Sequence, residues 1–341
     1  MKKTIYLCVA FFGLWACKSA DENENKQLSD SNITKTDSVK IPVLFDTDAN
    51  NELDDQHALA YLFFNEAVFD VVGITVNATT SGGEIMKHYE EAERIMKLCD
   101  VANKYPLHAG ANGNFSNIVA NIDQEDFDGK AAVDFIINEA RKVRKEKLVL
   151  LPVGKLTNIA LALAIAPDIK QKVKIVWLGA NYPKSGEYNL VADIPAMNYV
   201  LEQDVPFEMV TVRYGEPSGT DAVKVTPEEI KNTMTGLGPK VAPISGRHGG
   251  SFSTFGDYSV SLFENIDLHG NPPSRALFDM VAVAILKNPT WGERKEIPCP
   301  RMVEETWQEQ PNNLRKIAIW ENFDKQAILD DFYDIMKKSG S

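Results

Sequence analysis

Cysteine, basic charge and long apolar runs are all scarce in this 341-residue sequence. Four cysteines are too few for a disulfide-rich scaffold, and only Cys99 and Cys299 lie beyond the amino-terminal segment. One disulfide between them is compatible with the sequence, but two buried thiols are the better prediction. Lysine and arginine number 36 against 48 aspartates and glutamates, a formal charge of -12, so the basic footprint that nucleic acid requires is missing. No internal run reaches the ~18 consecutive apolar residues of a membrane-spanning helix.

The amino terminus has the pattern of an export signal. A basic start is followed by an apolar stretch that is too short to span a bilayer. The segment Leu14-Trp15-Ala16-Cys17 resembles the lipobox of bacterial lipoproteins, in which the chain is cut before the cysteine and the thiol is acylated. We therefore expect residues 1–16 to be a signal peptide and residues 17–40 to be a flexible polar tether behind a lipidated Cys17, which would place the protein in the bacterial cell envelope, either periplasmic or anchored in the outer membrane. The alternatives are an ordinary signal peptide or a buried amino-terminal strand.

From Ile41 onward, apolar β-branched runs alternate with amphipathic stretches. Near-continuous apolar strands separated by helices are typical of a mostly parallel sheet covered by helices on both faces, an α/β architecture of the Rossmann-like kind. We predict one such domain over residues 41–341. Its clearest strands are 41–45, 69–76, 148–153 and 173–178, and its clearest helices are 55–65, 83–99, 156–166 and 195–203.

The stretch 213–271 breaks this alternation. It is rich in Gly, Ser, Thr and Pro, which predicts a loop or lid insertion, and loops of that length in compact domains are usually functional or mobile. A helix over 277–286 and a strand and helix over 314–319 and 324–336 are expected to complete the domain.

Five carboxylates fall within the ten residues from Asp46 to Asp55, directly after the first predicted strand. Like charges this close repel unless a cation lies among them, and a hard divalent ion prefers oxygen ligands. A solvated loop in which Asp54 caps the next helix is the simpler alternative. A phosphoryl-transfer enzyme with Asp46 as nucleophile would want a nearby hydroxyl and lysine for the phosphate, and an EF-hand would need a Gly and a terminal Glu at offsets that this loop lacks. Because ligands bind at the carboxyl ends of parallel strands, we predict a metal site here that activates water for hydrolysis.

Several motifs resemble those of the inosine-uridine-type nucleoside hydrolases. The Asp-x-Asp at the first strand end, followed by an Asp-Asp pair, is similar to the family's opening motif. Its turn is two residues longer here and lacks the family's Pro-Gly. The other matching segments follow in the family's order: Gly73-Ile74-Thr75, Pro152 to Ala160, Glu187 to Asp193, and Phe278-Asp279.

That resemblance implies an N-glycosyl hydrolase of nucleoside salvage that uses Ca²⁺ to split a ribonucleoside, or a related N-riboside, into free base and ribose. It implies that Asp48 takes the proton from the attacking water, and it is also compatible with a homo-oligomer, a dimer or a tetramer. The residues that it implies for Ca²⁺ are Asp48, Asp55, the Val153 carbonyl and Asp279. Those that it implies for the substrate are Asp54, Asn77, Glu187, Asn189 and Phe278.

One position departs from the family. Members specialised for purines have a histidine where Phe278 stands, and that histidine is implicated in protonating the departing base. Phenylalanine cannot donate a proton, so another acid is needed unless the leaving group does without one or the protein binds without cutting. The candidates are Arg247, His248 and Tyr258 in the insertion and His57 on the first helix, and we predict His248. The alternative function is a lipid-anchored nucleoside- or sugar-binding protein that keeps the fold and the metal site.

Overall fold

A central sheet of eight strands organises residues 39–340, the part of the chain that this computed structural model describes. The predicted signal peptide and nearly all of the predicted tether lie outside the described residues. From residue 39 to 340, no helix is both long enough and apolar enough to cross a membrane.

The strands and helices alternate along most of the described chain. The strands are β1 (Ile41–Thr47), β2 (Phe69–Val76), β3 (Leu107–Ala109), β4 (Leu148–Pro152), β5 (Val173–Leu178), β6 (Phe207–Val210), β7 (Lys224–Val225), β8 (Ile244–Ser245), β9 (Ser251–Phe252), β10 (Arg275–Ala276), β11 (Glu293–Pro298), β12 (Arg301–Val303), β13 (Thr306–Gln308) and β14 (Lys316–Glu321). The helices are α1 (Asp54–Phe64), α2 (Ile85–Leu98), α3 (Phe115–Ile118), α4 (Lys130–Arg141), α5 (Thr157–Ile165), α6 (Tyr188–Ala192), α7 (Ile194–Glu202), α8 (Pro227–Met234), α9 (Phe255–Glu264), α10 (Phe278–Lys287) and α11 (Lys325–Ser339).

The large sheet has the strand order β11-β14-β6-β5-β4-β1-β2-β3. Every neighbouring pair is parallel except β11 with β14. Strand β1 lies inside the sheet, and its successive side chains serve opposite faces: Val43 and Phe45 belong to one apolar cluster and Leu44 to the other. Both faces are therefore covered, which is why these strands read as continuous apolar runs. The predicted α/β architecture is confirmed.

Two further details of the core agree with the sequence. The predicted strands and helices named above occur in the structure with ends that shift by at most three residues. Cys99 and Cys299 are free, buried thiols, as expected.

The segment 213–271 is more ordered than a loop. It contains α8 and α9, each capped by a threonine, since Thr226 accepts from the Glu229 N–H and Thr254 from the Asp257 N–H. Their apolar faces, including Met234, join the core cluster on one side of the sheet. The Gly, Ser and Thr content that predicted a loop belongs to the caps and turns between these short helices.

Candidate active site

The site lies where β1, β2 and β4 end side by side. The Val153 N–H donates to the Asp46 carbonyl at 2.8 Å, and the Asn77 N–H donates to the Thr47 carbonyl at 2.9 Å. These ladder bonds place the residues that follow the three strands at one edge of the sheet, as the parallel topology predicts. Asp48 is the first residue beyond β1, and α1 begins six residues later at Asp54.

Asp46 is the structural member of the acidic cluster. Its carboxylate is fully buried and accepts hydrogen bonds from Thr75 at 2.6 Å, Asn77 at 2.5 Å and Asn158 at 2.7 Å. Burial raises its pKa to about 6, while these three donors and Lys155 oppose the rise. Asp46 therefore ties the ends of β1 and β2 to α5, and its carboxylate does not line the cavity described below.

The long turn between β1 and α1 is held from several sides. The Gln56 amide donates to the Ala49 carbonyl at 2.6 Å, and the Asn50 amide donates to the Gly82 carbonyl at 2.6 Å. Arg247, on the turn that joins β8 and β9, donates to the Glu52 carbonyl. These hydrogen bonds hold the turn in place, although it lacks the Pro-Gly pair of the family that the sequence resembles.

A cavity of about 340 Å³ opens at this edge of the sheet, and we call it the acidic cavity. Carboxylates dominate one wall, and amide and aromatic groups form the other. Its lining residues are Asp48, Asn51, Glu52, Asp54, Asp55, Val153, Leu178, Glu187, Tyr188, Asn189, Val212, Tyr214, Phe278 and Asp279. All but one of the residues predicted for metal and substrate meet here, the exception being Asn77.

Three carboxylates of the acidic cavity are close enough to share one ion. Single oxygens of Asp54, Asp55 and Asp279 lie within 4.8 Å of one another. The sequence placed Asp55 and Asp279 in this set but assigned Asp54 to the sugar. Asp48 lies in the same cavity but outside this closest group, and its carboxylate accepts a hydrogen bond from Thr79.

Burial also sets the protonation of these groups. It raises the pKa of Asp48 to about 7 and that of Asp54 to about 8, and the charge of Glu52 adds to both shifts. Burial and the neighbouring carboxylates raise the pKa values of Asp55 and Asp279 well above the ordinary value. Four such groups cannot all be ionised at neutral pH without positive charge among them. Protons or a cation must supply that charge.

The donor set fits a hard divalent cation, because the carboxylates and the Val153 carbonyl offer only oxygen. Among the described residues, Asn77 Oδ1 is buried and has no hydrogen-bond partner. A Cβ atom added to Gly154 would lie 2.7 Å from that oxygen and 2.9 Å from Asp48 Oδ1, so the site packs too tightly around Gly154 for a larger residue.

Glu187 and Asn189 form the opposite wall. The Glu187 carboxylate is buried and accepts from the N–H groups of Ala180 at 2.8 Å, Asn189 at 3.0 Å and Leu190 at 2.9 Å. The Asn189 amide donates to the Val153 carbonyl at 2.7 Å. Both side chains are thus fixed by main-chain groups, which is what a rigid binding wall requires.

The residues proposed as acids do not line the acidic cavity. His248 is exposed, and one of its ring nitrogens lies 3.0 Å from Arg247 Nε. Tyr258 is buried and donates to Glu91 at 2.7 Å. His57 is fully buried between the Leu53 carbonyl and a serine hydroxyl, and burial lowers its pKa to about 4, so it stays neutral. His248, the predicted leaving-group acid, therefore does not line this cavity.

The sequence analysis assigned no role of their own to six lining residues, namely Asn51, Glu52, Leu178, Tyr188, Val212 and Tyr214. Glu52 comes from the longer turn and forms an ion pair with Arg275. Tyr188 lies between Glu187 and Asn189 in a segment that was recognised, but its ring was not considered. Tyr214 follows β6, and the rule that sites lie at strand ends would have found it had that four-residue strand been recognised.

Known proteins resemble this chain in sequence and in fold. The family model described as inosine-uridine preferring nucleoside hydrolase matches residues 43–329. Among curated proteins, the putative pyrimidine-specific ribonucleoside hydrolase RihB of Shigella boydii is 30% identical over 157 residues, which are 44% of this chain and 58% of that protein. The pyrimidine-specific ribonucleoside hydrolase RihB of Escherichia coli is 30% identical over 157 residues, which are 44% of this chain and 45% of that protein. The chain thus matches about half the length of these relatives.

A solved structure extends the likeness over the whole fold. The purine-preferring ribonucleoside hydrolase from Gardnerella vaginalis superimposes with a TM-score of 0.62 at 20% identity, over 87% of this chain and 98% of that one. At this level of identity the superposition shows a shared fold.

Proposed function

Since this chain belongs to the inosine-uridine preferring nucleoside hydrolase family, we propose that it hydrolyses the N-glycosidic bond of a ribonucleoside or a related N-riboside, releasing base and ribose. The observation that carries the proposal is the acidic cavity itself. Its buried carboxylates face a wall of fixed hydrogen-bonding groups across a space suited to a sugar. Glycosidic bonds break through a state with positive charge on the sugar ring, which such carboxylates stabilise.

The proposed cofactor is Ca²⁺, held by Asp48, Asp55, Asp279 and the Val153 carbonyl, with Asp54 near enough to contribute. Ca²⁺ accepts six to eight oxygen ligands in flexible geometry, which suits this crowded set of carboxylates. When bound, the cation offsets their charge and lowers the pKa of an adjacent water.

Asp48 is the proposed general base. Its carboxylate lines the acidic cavity beside those proposed for the metal, where it can take a proton from the attacking water. Asn77, the predicted helper, does not line the cavity. Its side-chain amide donates to Asp46, and its Oδ1 packs near Gly154, as Asp48 Oδ1 does.

The sugar is proposed to bind between Asp54 and the wall of Glu187 and Asn189. Both carboxylates can accept hydrogen bonds from sugar hydroxyls, and their negative charge stabilises the cationic sugar of the transition state. Because three main-chain N–H groups fix Glu187, it needs little reorganisation when substrate arrives.

The direct test is a ribose-release assay on the purified protein with a panel of purine and pyrimidine ribonucleosides. We expect release from at least one of them. The alternative is a binding protein that keeps the fold and the metal site without turnover. Retained Ca²⁺ and nucleoside affinity without ribose release from any nucleoside would support that alternative.

We also propose that the protein is an exported lipoprotein acylated at Cys17. Support comes from the sequence pattern, in which a basic start and a short apolar stretch end at the lipobox cysteine.

Replacing Cys17 by serine is expected to move the protein from the membrane fraction to the soluble fraction of a bacterial expression host, because the acylated thiol is lost. Fractionation followed by immunoblotting measures this. Cys99→Ser, which changes a buried thiol of the folded body, is the matched control and should remain with the membrane. A mature amino terminus other than Cys17 in intact-mass analysis would contradict the proposal.

A further inference from the structure

Breaking a glycosidic C–N bond leaves the bonding electron pair on the departing base. A hydrogen-bond donor that meets this developing negative charge lowers the barrier, and one well-placed donor is typically worth about 10²–10³ in rate. Phe278, which lines the acidic cavity at the start of α10, cannot serve. The donor must therefore come from another group that lines this cavity or the space next to it.

Four lining side chains other than the carboxylic acids carry a hydrogen on nitrogen or oxygen. Three of these side chains already form hydrogen bonds within the protein. Asn189 donates to two main-chain carbonyls, and the Asn51 amide lies 3.4 Å from a carboxylate oxygen. The Tyr188 hydroxyl lies 2.7 Å from the Ser81 hydroxyl and accepts from the Ser81 N–H. The remaining group is the hydroxyl of Tyr214.

The Tyr214 hydroxyl keeps its proton. Although 48% of the residue's surface is exposed, burial around the hydroxyl and the charge of Glu187 raise its pKa, while the Tyr188 main-chain N–H opposes the rise, so the proton stays in place at neutral pH. A tyrosine hydroxyl that keeps its hydrogen can donate it to a ligand in the cavity that it lines.

Tyr214 is also held in position. Its ring meets Phe278 edge to face, with centroids 5.8 Å apart and planes at 84°. The preceding residue, Arg213, has a φ of +49°, a conformation that a side-chain-bearing residue adopts only when its surroundings impose it. Arg213 is buried and donates to the Tyr182 carbonyl at 2.8 Å and to Glu321 at 2.7 Å.

A second cavity, of about 810 Å³, adjoins the acidic cavity and shares Glu52, Tyr214 and Phe278 with it. Tyr214 therefore stands at the boundary between the carboxylates and a separate space. Arg275 lines that space, and among the described residues its buried Nε has no hydrogen-bond partner. Such a space suits a leaving group with carbonyl or ring-nitrogen acceptors.

We propose that Tyr214 is the leaving-group donor of this protein. As the C–N bond breaks, the electron pair moves onto the base, the water oxygen bonds to the sugar carbon, and the Tyr214 hydroxyl donates a hydrogen bond to a nitrogen or oxygen of the base. The tyrosine keeps its proton, and the proton that the base finally gains comes from solvent. This inference rests on the proposed hydrolysis.

The test compares Tyr214→Phe with the unaltered protein on two kinds of substrate. Nucleosides have poor leaving groups, whereas p-nitrophenyl riboside releases a stable anion that needs little assistance. We expect kcat on the best nucleoside to fall about 10²-fold and kcat on p-nitrophenyl riboside to change less than about threefold. Tyr199→Phe, the same chemical change at a tyrosine that packs against Phe115, should leave both unchanged.

Equal losses on both substrates would make Tyr214 a structural or sugar-contacting residue and overturn the inference. Unchanged nucleoside turnover would overturn it as well, and His248→Ala, assayed in parallel, shows whether the histidine fills the role. Failure of the unaltered protein on both substrates would refute the proposed function itself, and this inference with it. A thermal melt of each variant separates loss of activity from loss of fold.

Discussion

Replacing Asp48 by asparagine is expected to lower kcat for ribose release by about 10³-fold, within the 10²–10⁴-fold range of general-base catalysis. Asparagine keeps the size of the side chain and can still accept the hydrogen bond from Thr79 through its carbonyl oxygen. It cannot take a proton from the attacking water, and it removes one charge from the proposed ion. The loss should appear in kcat for good and poor leaving groups alike, because the water must be activated in both cases.

The control is Asp70→Asn, which removes the same charge from an exposed position on β2. It should leave turnover unchanged. If Asp48→Asn retains turnover within tenfold of the unaltered protein on nucleosides, Asp48 is not the base. In that case the base would be one of the three clustered carboxylates, Asp54, Asp55 or Asp279.

Removing divalent cations is expected to stop turnover and to destabilise the fold in a pH-dependent way. In the cation-free protein, Asp48 and Asp54 have pKa values of about 7 and about 8, raised chiefly by burial from 3.8. Between pH 4 and 8 the folded state therefore holds protons that the unfolded chain has released. Stability linked to these groups is complete below about pH 4 and falls as pH rises to about 8.

A bound cation reverses this trend, because it stabilises the ionised carboxylates and must displace their protons. Calorimetric melts of protein freed of metal by chelation and dialysis, with and without added Ca²⁺, measure the effect. The increase in Tm on adding Ca²⁺ should be larger at pH 8 than at pH 5. An increase that is equal at both pH values, or absent, would contradict a metal site made of these carboxylates.

Asp279→Asn is expected to stabilise the metal-free protein, although it weakens the proposed metal site. It replaces a buried carboxyl group, whose pKa is raised by burial and by the neighbouring carboxylates, with a neutral amide of the same size, so metal-free protein should gain stability at pH 8 while losing Ca²⁺ affinity. Calorimetric titration and melts on the same sample measure both. A variant that loses stability and keeps Ca²⁺ affinity would show that Asp279 is not a ligand.

The sequence predicted that the acidic residues would meet at one edge of the sheet, for a physical reason. β1 is buried on both faces, so its length and end are visible as an apolar run, and the carboxylates that follow must lie at the sheet edge. Glu187 and Asn189 could be placed because the segment around them is similar to a known motif. Such residues are fixed by local chain geometry.

Residues that depend on long-range packing were harder to place. Asp54 joins Asp55 and Asp279 because α1 packs against α10, a contact that no local pattern encodes. His248 lies between Arg247 and two glycines in the insertion, and Arg247 directs its own side chain to the turn before α1 while His248 stays exposed. Tyr214 was missed because the strand before it has only four residues.

The measurement that bears most directly on the central claim is ribose release from one nucleoside by a single protein preparation in three states: as purified, after removal of divalent cations, and after addition of Ca²⁺. We expect release in the first state, none above background in the second, and recovery in the third. Asp48→Asn should remain near background in all three. Ribose release that persists unchanged after the cations are removed would contradict the claim that these carboxylates act through a bound metal ion.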